Sequence, residues 1–401
     1  MEASTDSQQT IKKPISVRLH YLDWLRVLAI LMVFLFHAVH IFDFGDWHIK
    51  NVDQSETITI LIILLGLWGM PFFFLVSGAA SWFALGRRTA GQYLSERFKR
   101  LFVPFLVGTL LFRPIATYLE WMNRVQRGVL DASFQEFLNM VANGYLSLGF
   151  SPGWFGIGEH LWFLGFLFSF ALVTLPLFLW FRREAGKRLI SVFAGLCERR
   201  GGLLLFIIPL AVVKVSISPF FPTEHGWGDF VFQMSFFILG YLLFSDERFL
   251  EAIRRDWWLL FALGTTIVAI LVGMYAADLP VITWGETPTM FQYHIIQVLV
   301  AAISFCYTLT IIFAGMRFLN FTNSWLRYAQ EAVLPFFVFH QPVIIAIGFF
   351  VVQWTVGITL KLAVVVLGSF VASIALYELF IRRVRPLRLL FGMKARGSAK
   401  R

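Results

Sequence analysis

Ten hydrophobic runs, most of them about as long as a bilayer is thick, constrain this chain more than any other feature. They lie near residues 24–44, 58–84, 101–118, 161–181, 202–221, 228–244, 257–277, 293–316, 333–353 and 362–381. A helix needs about 20 apolar residues to cross the hydrocarbon core, and lipid offers no partner for an unpaired backbone amide. The runs therefore predict an all-α, polytopic integral membrane protein with about ten transmembrane helices.

The composition excludes several other classes of protein. Apolar residues make up 58% and charged residues 14% of the 401 residues, whereas soluble domains have roughly 45–50% apolar and about 25% charged residues. Cys197 and Cys306 are too few for a disulfide framework or a cysteine-based zinc site, and no metal site is expected. Lys and Arg outnumber Asp and Glu by 34 to 24, but they lie in short gaps between hydrophobic runs. Nucleic acid is therefore not expected as a partner.

The basic residues also predict the orientation in the membrane. Alternate gaps between the runs carry 27 of the 34 Lys and Arg residues, and these gaps are 1–22, 85–100, 182–200, 245–256, 317–327 and 382–401. The opposite gaps carry four: Lys50, Arg124, Arg127 and Lys361. Because basic loops stay in the cytoplasm, both termini are expected there. The predicted organisation is a cytoplasmic segment 1–22, a membrane domain 23–382 and a basic cytoplasmic tail 383–401.

The longest gap on the opposite side runs from about Tyr118 to Glu159. Its second half, GYLSLGFSPGWFGIGEH, is rich in glycine and aromatic residues. This composition fits a re-entrant lid, a carbohydrate-stacking surface or an interfacial aromatic belt.

The first run contains ionisable residues that a membrane span tolerates only at a cost of about 2.5–3.5 kcal/mol each. Arg26 and His37 are eleven residues apart, which places them on one helix face and roughly 16 Å apart along the axis. His40 stays on that face, and Asp23 is spaced to pair with Arg26. Histidine suits general-base catalysis because its pKa lies near operating pH. The alternative is that Arg26 snorkels to the interface and His37 hydrogen-bonds a neighbouring helix.

A second group of candidates follows the second run. Arg97 and Arg100 are three residues apart and hence neighbours on a helix, a spacing that lets two guanidinium groups clamp a phosphate. The alternative is an ordinary basic cytoplasmic loop. The preceding segment from Met70 to Gly78, which includes Ser77, has a proline and small residues that permit a kink and close helix approach.

Further candidates lie in the fourth and ninth runs. His160 and Trp162 open the fourth run, and His340 stands between Pro335 and Pro342 in the ninth. Each histidine fits a site-lining role and a helix-packing role equally well. The sequence has no HExxH, no Cys/His metal spacing and no phosphate-binding glycine loop.

Taken in order, these residues resemble membrane acyltransferase family 3 over about residues 20–385. The residues that carry the resemblance are Tyr21-Leu22-Asp23-Trp24-Leu25-Arg26 with His37, the segment Met70 to Gly78, Arg97-x-x-Arg100, and His160-Leu161-Trp162-Phe163-Leu164. The resemblance implies an O-acyltransferase that moves an acyl group from cytoplasmic acyl-CoA to a hydroxyl of an extracytoplasmic glycan. Within the family, it points to succinyl transfer onto a periplasmic glucan, in the inner membrane of a bacterium.

The same resemblance implies the roles of the candidates. His37 is the base and Arg26 its catalytic partner, Arg97 and Arg100 bind the acyl donor, and the substrate-lining candidates are Asp23, His40, Ser77, His160, Trp162 and His340. No cofactor is bound, because acyl-CoA is a co-substrate. The other expected partners are the glycan and the lipid bilayer; no particular protein partner is indicated. The alternatives are acetylation of another envelope glycan or a small molecule, and a non-enzymatic transporter or flippase, which would leave CoA intact.

Overall fold

The structure, a computed structural model, describes residues 19–131, 133–146, 159–221, 224–277 and 290–393, and every regular element in these ranges is helical. The α-helices are α1 His20–Val39, α2 Glu56–Leu85, α3 Ala90–Arg97, α4 Val103–Gln126, α5 Phe134–Leu146, α6 Trp162–Val173, α7 Leu175–Phe181, α8 Glu184–Cys197, α9 Ile207–Ile217, α10 Trp227–Leu243, α11 Glu247–Ala276, α12 Met290–Phe318, α13 Ser324–Val351, α14 Ile358–Leu376 and α15 Arg385–Leu390. A π-helical turn, Phe98–Phe102, joins α3 to α4 without a break.

Within the described residues, seven helical segments are long and apolar enough to cross a membrane. They are α1, α2, the joined pair α3–α4, α11, α12, α13, and α14 with the turn that follows it. A bent pair, Glu159–Val173 and Leu175–Phe181, supplies an eighth crossing if both parts belong to one span. The segment Gly202–Ile217 and α10 are apolar but shorter. The all-α membrane fold is thus confirmed, while the count of ten crossings and the orientation of the termini stay predictions.

Two regions differ from the sequence-based prediction. The long gap after the third run is partly helical, because α4 continues to Gln126 and α5 follows it; most of the predicted lid or stacking segment, residues 147–158, lies outside the described residues. The predicted basic tail begins with a packed helix, since Arg388 in α15 is buried and donates to the Glu331 carboxylate at 3.0 Å. Residues 1–18 and 394–401 also lie outside the described part of the chain.

Helices α2 and α10 pack backbone against backbone. A Cβ atom added at Gly78 would lie 1.9 Å from the carbonyl oxygen of Phe237, and one added at Gly240 would lie 1.9 Å from that of Leu75. No real Cβ can occupy either position, so the crossing depends on both glycines. The close approach expected from the segment Met70 to Gly78 is therefore confirmed.

Pro71 lies inside α2 and removes one hydrogen bond from it. A proline has no N–H to donate to the carbonyl four residues earlier, which here belongs to Leu67. The hydroxyl of Ser304 in α12 donates to that carbonyl. The backbone group that the proline leaves free is thus satisfied by a neighbouring helix, as the interior of a membrane requires.

Candidate active site

Two cavities lie toward opposite ends of α1 and α2. The first, the arginine cavity, has a volume of about 430 Å³ and a charged lining of five arginines and two carboxylates: Arg26, Arg87, Arg88, Arg97, Arg100, Asp23 and Glu96. The second, the histidine cavity, has a volume of about 650 Å³ and contains five histidines: His37, His40, His48, His160 and His225. Phe337 lines both cavities, so they meet at this residue.

The predicted site residues divide between the two cavities. Those that line the arginine cavity are Asp23, Arg26, Ser77, Arg97 and Arg100, and those that line the histidine cavity are His37, His40, His160 and Trp162. His340 is fully buried beside His37. The structure pairs Arg26 with Asp23 at 3.5 Å, as the sequence predicted. It does not bring Arg26 to His37, because the helix face that they share opens into a different cavity at each end.

Arg97 is held in place by a hydroxyl on the neighbouring helix. Its Nη2 donates to Ser81 Oγ at 3.0 Å, and the Tyr93 hydroxyl donates to the same oxygen at 3.0 Å. The Ser81 hydroxyl in turn donates to the Ser77 carbonyl, and the guanidinium group lies 5.0 Å from the centre of the Tyr93 ring. The sequence analysis did not single out Ser81 or Tyr93. Ser81 lies one helical turn from Ser77 and Tyr93 one turn from Arg97, and such spacings carry no signal in one sequence.

Arg100 is paired less tightly than Arg97. The Glu96 carboxylate lies 2.8 Å from Arg88 Nε and 3.8 Å from Arg100 Nη1. These side chains are between a quarter and a half exposed, so the ion pairs contribute little to stability. A ligand with several negative charges is able to displace Glu96 at small cost, because the cavity has more arginines than carboxylates.

A hydrogen-bonded pair of histidines lies beside the second cavity. His37 Nδ1 and His340 Nε2 are 2.9 Å apart, and His340 Nδ1 lies 2.7 Å from the Phe337 carbonyl oxygen. A carbonyl only accepts, so Nδ1 of His340 carries a proton and donates it. Nε2 of neutral His340 is then an acceptor, and Nδ1 of His37 donates to it. The lone pair of neutral His37 is therefore on Nε2, and this atom is free to take a proton.

A third histidine packs against this pair. Pro342 in α13 leaves the Val338 carbonyl without its helical partner, and His160 Nε2 donates to that oxygen at 3.1 Å. His160 Nδ1 is buried and has no hydrogen-bond partner within the described residues. The His160 ring centre is 5.1 Å from that of His340 and 6.2 Å from that of His37. Three histidines, from α1, α13 and the turn that precedes α6, thus form one cluster, although the sequence predicted them separately.

His40 belongs to a buried ionic network in the loop after α1. Its Nδ1 lies 2.7 Å from Asp43 Oδ1, which also accepts from Lys50 Nζ at 2.5 Å. Burial of Asp43 opposes ionisation, but the bonds from His40 and Lys50 outweigh it, so the pKa of the Asp43 carboxyl lies below its usual range. The ionised Asp43 fixes His40 in the wall of the cavity.

Two further residues of the histidine cavity escaped the sequence analysis. His48 Nδ1 lies 2.5 Å from Glu120 Oε2, and Glu120 also pairs with Arg124 at 2.9 Å. Burial disfavours the protonated His48, but Glu159 and Glu120 outweigh this effect and raise the pKa of its imidazole. A signal for Glu120 was present in the sequence, since Glu120 and Arg124 are one helical turn apart at the end of an apolar run.

Aromatic faces complete the lining of this cavity. The Trp47 ring is nearly parallel to the rings of His37 and His40, with centres 6.3 and 5.8 Å away. Trp162 lies against His225 with ring centres 4.2 Å apart. A site that combines flat aromatic surfaces with a few charged groups is typical of small-ligand binding.

A helical membrane bundle in which an arginine-rich cavity adjoins a cluster of histidines has groups that suit a group-transfer enzyme. The chain belongs to the family described as acyltransferase domain, whose model matches residues 19–378. It is therefore a membrane acyltransferase. Its relatives include the glucans biosynthesis protein C of Salmonella schwarzengrund, of Salmonella paratyphi B and of Salmonella agona, each 25% identical over 94% of this chain and 95% of the relative. No solved structure is significantly similar to it.

Proposed function

We propose that this membrane acyltransferase transfers the acyl group of a cytoplasmic acyl-CoA to a hydroxyl of an extracytoplasmic glycan, in the inner membrane of a bacterium. The observation that carries the proposal is the meeting of the arginine cavity and the histidine cavity at Phe337. The donor and the acceptor reside on different sides of the membrane, so a reaction centre between two cavities is what this transfer needs.

The arginine cavity suits the donor. The basic loops predict that this end of the bundle faces the cytoplasm, where CoA resides. Arg97 and Arg100 would bind the phosphates of CoA, because a guanidinium group matches phosphate oxygens with two parallel bonds. Arg26, which pairs with Asp23 at 3.5 Å, lines this cavity as well.

The chemistry would use the free nitrogen of His37. The acceptor hydroxyl gives its proton to His37 Nε2 as its oxygen bonds to the thioester carbon. The carbon–sulfur bond then breaks, and His37 returns the proton to the sulfur, which yields an ester and free CoA. Throughout, His37 Nδ1 donates to His340 Nε2, which holds the ring in the orientation and tautomer that the reaction needs.

The histidine cavity suits a sugar. The faces of Trp47 and Trp162 offer flat apolar surfaces, and Glu120 and Glu159 offer acceptors for hydroxyl groups. The printed name of the relatives, glucans biosynthesis protein C, supports a glucan as the acceptor. Succinyl transfer onto a periplasmic glucan is the reaction that we propose, with acetyl transfer to another envelope glycan or a small molecule as the alternative.

Mass spectrometry of envelope glycans from a deletion strain identifies both the acyl group and the acceptor. The direct test uses purified protein with succinyl-CoA or acetyl-CoA and a glucan acceptor. Wild-type protein should release the CoA thiol and leave an ester on the glucan. His37→Gln should still bind CoA but transfer about 10²–10⁴-fold more slowly. Substrate movement with CoA left intact would favour the transporter or flippase alternative, and wild-type transfer by folded His37→Gln would eliminate His37 as the base.

A further inference from the structure

The two cavities are separated by a single layer of side chains. On α2, Met70 lines the histidine cavity and Phe73 lines the arginine cavity. Three residues of helix correspond to about 4.5 Å along the axis. On α1 the same change occurs between Met32 and Ile30, and on α13 Phe337 alone touches both spaces.

The layer contains three buried phenylalanine rings that pack edge to face. The ring centres of Phe73 and Phe163 are 5.3 Å apart, and those of Phe163 and Phe337 are 5.7 Å apart. Edge-to-face contacts at these distances are favourable for aromatic rings. We call these three rings the aromatic septum. The two cavities are separate spaces in the structure and each ring is less than a tenth exposed, so the septum is closed.

The far side of the septum is the histidine cluster. The Phe337 ring centre is 5.7 Å from that of His160 and 5.5 Å from that of His340. A group that enters the histidine cavity past Phe337 therefore arrives at the base. A group that stops on the near side remains in the arginine cavity, away from His37.

The helix around Phe337 is less firmly bonded than an uninterrupted one. Pro335 and Pro342 flank Phe337 in α13, and each removes one internal hydrogen bond. Membrane helices adjust most easily at such positions. The backbone of α13 near Phe337 is therefore able to adjust when the Phe337 ring changes its rotamer.

We propose that the aromatic septum is the passage for the acyl thioester, and that the Phe337 ring both limits the size of the acyl group and keeps water from the thioester. This inference rests on the proposed function. With the ring in place, the arginine cavity holds the donor apart from the histidine cavity. When the ring turns aside, the acyl carbon reaches His37. Removal of the ring would leave a permanent opening that is wide enough for water and for larger acyl groups.

The first test measures the opening without any catalysis. Met70→Cys places a thiol on the wall of the histidine cavity, and a membrane-impermeant methanethiosulfonate is applied to each face of membrane vesicles in turn. Cys197 and Cys306 are buried, so the wild-type chain serves as the background. Met70→Cys should react from one face only, and Met70→Cys with Phe337→Ala should react from both faces. Phe337→Leu provides a milder variant that preserves folding and should give intermediate access.

Phe339→Ala is the matched control. Phe339 is buried on the same helix and loses the same ring, but it packs against Phe336 and Phe391 and lines neither cavity. Access in Phe339→Ala should therefore equal that of Met70→Cys alone. Unchanged access in both Phe337 variants, or access from both faces without any change at Phe337, would overturn the proposal.

The second test measures passage of the thioester. Without acceptor, Phe337→Ala should hydrolyse succinyl-CoA: the oxygen of water bonds to the acyl carbon, the carbon–sulfur bond breaks, and the proton goes to sulfur. It should also use octanoyl-CoA relatively better than wild type does, whereas Phe339→Ala should do neither. Wild-type selectivity and no hydrolysis in a Phe337→Ala protein with an open septum would overturn the acyl-size role. If no variant releases CoA from any thioester, the proposed function itself fails, while the access test still reports on the septum.

Discussion

His37 and His340 share one hydrogen bond, 2.9 Å long, although 303 residues separate them in the sequence. The bond joins α1 to α13, and its direction is determined by the Phe337 carbonyl, which makes His340 Nδ1 a donor. His37, the proposed base, is therefore the end of a chain of two imidazoles and one carbonyl, and in the proposed mechanism His340 acts only through His37.

Replacement of His340 separates this positioning role from a packing role. His340→Leu removes the acceptor for His37 Nδ1, so kcat should fall by part of the roughly 10²–10⁴-fold that a general base contributes. His340→Gln supplies a carboxamide oxygen near the position of Nε2 and should recover much of the loss. The KM for acyl-CoA should change little in either variant. Equal kcat values for the Leu and Gln variants would mean that His340 only fills space.

The arginine pair should determine donor affinity. Arg97→Ala or Arg100→Ala should weaken CoA binding roughly 10- to 100-fold, because a hydrogen bond to a charged group contributes about 1.5–3 kcal/mol. Arg97→Lys should not restore it, since an ammonium group cannot bind phosphate with two parallel bonds. Ser81→Ala keeps the guanidinium but loses its anchor and should have a smaller effect. Isothermal titration calorimetry measures the affinity for CoA in each variant. Arg188→Ala, on the exposed face of α8, is the control. Equal affinity in all variants would mean that Arg97 and Arg100 serve only to orient the chain in the membrane.

The crossing of α2 and α10 should not tolerate a methyl group. Gly78→Ala forces a Cβ into the Phe237 carbonyl, and overpacking of this kind typically costs about 1–3 kcal/mol. The variant should therefore unfold at a lower temperature in detergent or fail to accumulate. Gly66→Ala is the control on the same helix, because nothing lies within 4 Å of the added atom. Equal thermal stability of the two variants would show that the helices move apart without penalty.

The pair of His48 and Glu120 should make stability depend on pH. The pKa of His48 is raised above its ordinary 6.5, so the folded protein binds a proton that the unfolded chain has lost at pH values between the two pKa values. The stabilisation is fully present below pH 6.5 and declines as pH rises through the raised pKa. Thermal unfolding in detergent should show this decline in wild type but not in His48→Gln. A parallel pH profile in the two proteins would contradict the assignment.

Cysteine labelling tests the predicted orientation. Lys50 is a poor site because it is buried against Asp43, whereas Asp53 is exposed in the same loop and Gly91 is exposed between α2 and α4. In intact cells, Asp53→Cys should react with an impermeant maleimide, and Gly91→Cys should react only after the membrane is opened. The reverse pattern would place the arginine cavity outside the cell and remove the proposed access of CoA to it.

Much of the fold was predictable from the sequence, because hydropathy and helix length act locally. The spacing of Asp23 and Arg26 was sufficient to predict their ion pair. That of Arg97 and Arg100 was sufficient to predict that they are neighbours, and both line the arginine cavity. The spacing of Arg26 and His37 placed both residues on one face of α1. It did not indicate that the two ends of this face open into different cavities. The contact between His37 and His340 depends on how α1 packs against α13, and no local pattern in a single sequence encodes such packing.

Pro71 and Pro342 make the stability of the bundle depend on correct helix association. Each proline leaves one carbonyl bare, and lipid supplies no donor to cover it. A misplaced neighbour therefore keeps the full penalty of a buried, unbonded polar group, which disappears only when Ser304 meets α2 and His160 meets α13. His160, which removes the penalty for the α13 carbonyl, is also part of the histidine cluster. Correct helix association and completion of the histidine cluster are thus one event, and a chain that has not assembled properly lacks the cluster.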